Sequence, residues 1–320
     1  MSMYHLSTER GKRYRTDKVG GIWPGLAVTM LVSLCWWEAA AQSIPQQIET
    51  YAAQLRQSRS AAVPATLREV RNAKEVIEAA PQFFNDTLPL IRERMYMLAA
   101  DAGAQTKDPD LRRQVVTRLV NATADVENLD LLLSRLSAFQ AGDFSPPARD
   151  TLAALFRKDA PYQDELARLC GAIGIQKLLP DLQALSGPAT KNQRLRWAAL
   201  LALARMGDAE ALSGVMKRVQ RLPVSDDLVY EVFPDLIYTR QRAAIDYLVV
   251  ELNSDEKKCT TADERPVTCA YRIMEMLAGA VEKYPLRADA GGDIKTNDYE
   301  KSLAAVRQWF KKNKEYQIKQ

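Results

Sequence analysis

Histidine is nearly absent from this sequence: its 320 residues contain one, His5. Glycine and proline are scarce too, at 14 and 15 residues, about 9% together against the roughly 12% of average usage. Few turn residues favour helix. Neither sign of charge dominates, with 44 Lys+Arg against 40 Asp+Glu. That balance, with 47% hydrophobic residues, leaves out a strongly basic nucleic-acid binder, a disordered acidic tail and a polytopic membrane protein.

What is present begins with an export pattern. Arg10, Lys12, Arg13, Arg15 and Lys18 stand against Glu9 and Asp17, and the chain turns apolar from Ile22 to Trp37. Ala39-Ala40-Ala41 follows, and the whole predicts a secretory signal cleaved after Ala41. The competing reading is an uncleaved anchor. The apolar run is 16 residues, interrupted by Pro24 and closed by Glu38, whereas a spanning helix wants about 20. Cys35 follows Leu34, where an acylated lipoprotein has a small residue. The expected destination is periplasmic or secreted, with membrane contact only through an uncleaved signal.

Cleavage would remove 5 of the 44 basic and 3 of the 40 acidic residues, leaving a net charge of +2. It would also remove His5. A chain without histidine cannot run a Ser-His-Asp or Cys-His mechanism and cannot form a His-ligated zinc site. The expectation is therefore no catalytic residue, no cofactor and no metal.

Three cysteines would remain. Cys259 and Cys269 bracket a polar stretch containing Pro266, and an oxidising compartment would let them pair. A metal clip and unpaired thiols are the other readings, the former short of neighbouring ligands. Cys170 falls on the apolar stripe of Leu166, Leu169 and Ile173 and reads as a small core residue.

From Ile44 onward, apolar residues recur at helical spacing. Helices are predicted over 44–57, 65–80, 87–101, 109–122, 125–138, 146–157, 161–173, 176–186, 191–206, 208–221, 225–239, 241–253, 266–283 and 298–313. Gly103, Asp108-Pro109, Gly174, Gly187-Pro188 and Gly207-Asp208 punctuate them. The pattern predicts an all-α fold of antiparallel hairpins.

The segments also repeat. Leu166 to Gly174 aligns with Ala199 to Gly207 at an offset of 33, and the same offset places Leu179 on Leu212 and Leu182 on Val215. A further 33 carries Leu200 to Phe233 and Leu212 to Ile245, with Arg240 replacing the glycine. Three units in register suggest hairpins that bury their apolar faces by stacking on neighbours.

The run Arg196-Trp197-Ala198-Ala199-Leu200-Leu201-Ala202-Leu203-Ala204-Arg205-Met206-Gly207-Asp208-Ala209-Glu210-Ala211-Leu212 resembles a HEAT-like repeat of the short type. The resemblance is clear over 161–253, extends to 109–157 and 266–284, and fades before 100. It implies a right-handed α-solenoid, divided as signal 1–41, N-terminal helices 42–108, repeat array 109–284, and linker with capping helix 285–320. It also implies that the second helix of each hairpin lines a concave surface, so that Lys217, Arg218 and Arg221 face a groove and bind a partner. The competing reading is a solvated helix face, with basic residues favoured near the helix C-terminus by its dipole.

Charge is sorted along the array: residues 191–221 carry a net +5 and residues 222–256 a net −6. Such blocks suit a partner with complementary patches, or attract each other across the stacking interface. The basic run lacks exposed aromatics interleaved with it, which speaks against nucleic acid. Asn85-Asp86-Thr87 and Asn121-Ala122-Thr123 match the glycosylation acceptor pattern. Asp226, Asp227, Glu231 and Asp235 are the remaining catalytic resource, since a carboxylate pair suffices for glycoside hydrolysis; their spacing also suits capping and solubilising a helix. Two functional expectations result. The first is an exported non-enzymatic protein that binds a protein or envelope component, and the second is an exported all-α carbohydrate-active enzyme.

Overall fold

A computed structural model describes residues 42–158, 160–261, 263–287 and 294–319. The predicted export signal lies outside the described residues. The described chain is all-α apart from one two-stranded hairpin. Its helices are α1 (Ile44–Gln57), α2 (Ala73–Ala79), α3 (Pro89–Gln105), α4 (Pro109–Asn121), α5 (Leu129–Leu136), α6 (Pro146–Arg157), α7 (Gln163–Ala172), α8 (Leu179–Ser186), α9 (Gln193–Arg205), α10 (Ala209–Val219), α11 (Phe233–Thr239), α12 (Arg242–Leu252), α13 (Ala270–Ala278) and α14 (Tyr299–Lys312). None of them is long and apolar enough to cross a membrane.

Local chemistry explains most boundaries. Proline opens α3, α4 and α6, where its missing N–H costs nothing. Side chains cap the free N–H groups at several starts: Asp108 accepts from Asp110 and Leu111, Asn192 from Arg194 and Leu195, and Asp208 from Ala211.

The 33-residue period is visible in the backbone. Gly174 has φ +69° and Gly207 φ +95°, left-handed values that end α7 and α9. Each makes the same pair of bonds. Ile175 N reaches Cys170 O and Gly174 N reaches Gly171 O; Asp208 N reaches Leu203 O and Gly207 N reaches Ala204 O. This is the paired arrangement of a Schellman end. The third unit takes the same turn without glycine, for Arg240 has φ +52°. Here the Thr239 hydroxyl donates to Leu236 O and accepts from Gln241 N, standing in for the backbone bond that the first two units make.

Every odd-numbered helix from α1 to α13 touches the next odd one, and consecutive helices touch at most steps. The N-terminal helices are continuous with the rest, since α3 packs on both α4 and α5. Their apolar stripes form one core running from Ile44 to Tyr316. Near the C-terminus, α14 buries Leu303, Val306 and Phe310 and packs on α13. Beyond it the chain returns to bridge Val281 with Ile318.

Four expectations change. The predicted helix 65–80 is broken, because Glu69 is extended and the Asn72 amide bonds back to Thr66 O, closing a separate turn. Gly103 does not end α3; it lies inside, where an added Cβ would stand 3.0 Å from Val115 of α4. The predicted helix 225–239 divides into a π-turn over Leu228–Val232 and then α11. Pro234 has no N–H to offer the Tyr230 carbonyl, which removes the α-helical bond at that step. Finally, 266–283 is not one helix: Pro266 and Val267 form strand β2 (Pro266–Val267), paired antiparallel with β1 (Cys259–Thr260), and α13 begins only at Ala270.

Candidate functional site

Cys259 and Cys269 are joined as a disulfide, so the pairing reading holds over the metal clip. The bond closes the small hairpin at its base. Asp226, before the π-turn, ties the hairpin down: its Oδ2 accepts from Thr260 N at 2.9 Å and from Thr260 Oγ1 at 2.7 Å.

This arrangement collects aromatic groups from three separate elements. The π-turn presents Tyr230, which is 51% exposed, and α13 brings Arg272 with its guanidinium 5.6 Å from that ring. Tyr271 of α13 meets Tyr299 of α14 edge to face at 5.7 Å. The Tyr299 hydroxyl donates to Glu275 at 2.7 Å, and Glu275 accepts more weakly from Arg272 at 3.4 Å. Burial works against the Arg272 charge, but Tyr230 and Glu275 outweigh it and the guanidinium is held more firmly protonated than usual. Between the hairpin and these rings lies a cavity of about 350 Å³, with Thr260, Thr261 and Val267 on one side and Tyr271, Arg272 and Tyr299 on the other.

Chemically, the site offers apolar rings, threonine hydroxyls and one guanidinium. These are the groups that anchor side chains of a binding partner, since aromatics and arginine bury much area for little lost rotamer freedom. Among the described residues no group of three or more His, Cys, Asp or Glu could hold a metal ion.

The basic residues singled out by sequence divide. All three of Lys217, Arg218 and Arg221 are exposed near the end of α10. Arg218 stacks over the Trp197 ring at 4.8 Å. Among the described residues, none of the three forms an ion pair. Trp197 in turn donates from Nε1 to Asp235 at 2.5 Å, and Arg168 donates to the other oxygen of that carboxylate at 2.6 Å. A polar chain thus runs Arg218, Trp197, Asp235, Arg168 across α10, α9, α11 and α7. Among the described residues no ion pair joins the basic 191–221 block to the acidic 222–256 block; Asp235 is neutralised instead by Arg168, one repeat further back.

The four carboxylates do not act as a set. Asp226 holds the hairpin, Asp235 is buried in the polar chain, and Asp227 and Glu231 are exposed. Cys170 is fully buried on α7, as its stripe predicted. The ring cluster at the hairpin was missed in the sequence. Pro234 beside Tyr230 and the Cys259–Cys269 spacing were the available signals, but neither says that α14 returns to the same place. No protein-family model, curated protein or solved structure matches this chain.

Proposed function

We propose that this protein is an exported, non-enzymatic α-solenoid of HEAT-like hairpins that holds a protein or cell-envelope component. The observation that carries the solenoid reading is the left-handed helix ending repeated at Gly174, Gly207 and Arg240, with odd-numbered helices stacked on one another along the chain. A repeated ending with repeated neighbours is what stacking of similar hairpins produces. The disulfide supports export, because such bonds persist in oxidising compartments.

The partner-binding surface combines two features. Tyr230, Arg272 and Tyr299 supply ring and guanidinium anchors beside the hairpin cavity. Lys217, Arg218 and Arg221 supply positive charge from the helix that precedes them. The partner is accordingly a protein segment with an apolar side chain for the cavity and acidic residues for the basic edge. The carbohydrate-active alternative gains no support from Asp226 or Asp235, each of which ties two elements together.

Crosslinking in the native envelope fraction tests the reading. Tyr230→Ala with Arg272→Ala should abolish a crosslinked band that the unaltered chain gives, and Lys217→Glu with Arg221→Glu should weaken it, without lowering thermal stability. An equal band from all three proteins sinks the assignment. N-terminal sequencing of the exported chain should begin at Gln42, and a start before Ile22 overturns the cleavage.

A further inference from the structure

We propose that the cavity between the 63–69 segment and α3 binds the carboxylate of a short aliphatic acid. It encloses about 280 Å³ and carries Arg68 and Arg94 on its wall, with Val63, Leu67 and Leu98 as apolar surface. At roughly 30 Å³ per water-sized group, that volume holds a ligand of about eight non-hydrogen atoms.

The charges leave a positive surplus. Of the two acids on the wall, Glu69 pairs with Arg71 at 2.5 Å and Asp101 with Arg135 at 3.0 Å. Arg94 has Glu93 only at 3.9 Å, and among the described residues Arg68 is in no ion pair.

The wall itself carries an unmatched donor. The Arg94 Nε is buried and has no hydrogen-bond partner among the described residues, and the same is true of the Tyr51 hydroxyl. Tyr51, on α1, is 1% exposed. Burial raises its pKa while Arg94 and then Arg68 oppose that rise, which puts the hydroxyl within electrostatic reach of both cavity arginines. A third unmatched donor is Nε of Arg135, the arginine that holds the wall residue Asp101. Buried donors without acceptors are few in native proteins, so the unmatched Nε of the wall residue Arg94 calls for an acceptor. Nε and the adjacent Nη form the guanidinium edge that receives both oxygens of a carboxylate. Glu69 and Asp101 are already matched, and the apolar wall suits a tail that phosphate lacks.

The test is calorimetric titration of the full chain with hexanoate, acetate, inorganic phosphate and hexylamine at one ionic strength set by sodium chloride. Hexanoate should bind about tenfold more tightly than acetate or phosphate, and hexylamine should give no heat. Arg94→Met should weaken hexanoate about tenfold, and Tyr51→Phe about threefold with an unchanged melting temperature. If Arg94→Met does not fold, the exposed Arg68→Gln takes its place, with about a threefold loss expected. Equal binding of acetate or phosphate and hexanoate, binding of hexylamine, no heat with hexanoate, or variants that bind hexanoate as tightly as the unaltered chain would each overturn the site.

Discussion

Gly171 of α7 and Ala202 of α9 stand so close that a Cβ on Gly171 would lie 2.6 Å from the Ala202 Cα, and as near to the Tyr238 hydroxyl. That hydroxyl donates to Arg168 O at 2.6 Å, so it is not free to move aside. Intrinsic propensity favours Gly171→Ala by roughly 0.5–1 kcal/mol, since glycine is a poor helix interior residue. Overpacking reverses the sign. The expected result is a loss of about 1–3 kcal/mol in urea unfolding, and a gain would contradict the α7–α9 contact.

Gly207 gives the complementary case. An added Cβ meets nothing within 4 Å there, so only its φ of +95° resists substitution. Gly207→Ala should cost about 1–2 kcal/mol from backbone strain alone. Arg240→Gly relieves strain but loses a bond from Arg240 to Gly279 O, and should change stability by less than about 1 kcal/mol. Thermal melts of the two variants decide this, and equal losses in both would mean that the two endings are not equivalent.

Cys170 should be chemically silent. Burial alone pushes its thiol up to about 12, so almost no thiolate exists at pH 8. In a Cys35→Ala chain, an aromatic disulfide reagent should release no signal from the folded protein and one equivalent in denaturant. Rapid labelling of the folded chain would place Cys170 at the surface.

Acid should weaken the N-terminal helices through Asp125. Burial raises its carboxyl pKa, but bonds from Arg92, Asn128 and Tyr96 outweigh that and bring it below the ordinary carboxylate value. Arg92 holds it with two bonds, at 2.6 and 3.0 Å. A carboxyl whose folded pKa is depressed contributes stability that is complete above its unfolded value and lost as pH falls through the folded one. Stability should therefore decline below about pH 4. Asp125→Asn should be less stable at pH 7 by about 1–3 kcal/mol and should show a shallower acid decline. Parallel acid limbs in the two proteins would remove Asp125 from the account.

Helices whose signals are local were legible in the sequence. Those at 44–57 and 146–157 match in full, because a proline near the first residue and an apolar stripe act within a few turns. The glycines at 174 and 207 were legible for the same reason. The break at Glu69 was not, since Val70, Val76 and Ile77 continue a plausible stripe. The hairpin at 259–267 was not either, because a two-residue strand leaves no period to detect.

The sequence by itself determined the helical class, the 33-residue spacing and the poverty of histidine chemistry. Periodicity, composition and left-handed turns depend on neighbours along the chain. Only the tertiary structure decided that Asp235 answers to Arg168, 67 residues away, and that Tyr271 and Tyr299 line one cavity with the hairpin. Those pairings follow from how far each helix turns on the one before it. Packing of whole surfaces sets that angle, and no local run of residues encodes it.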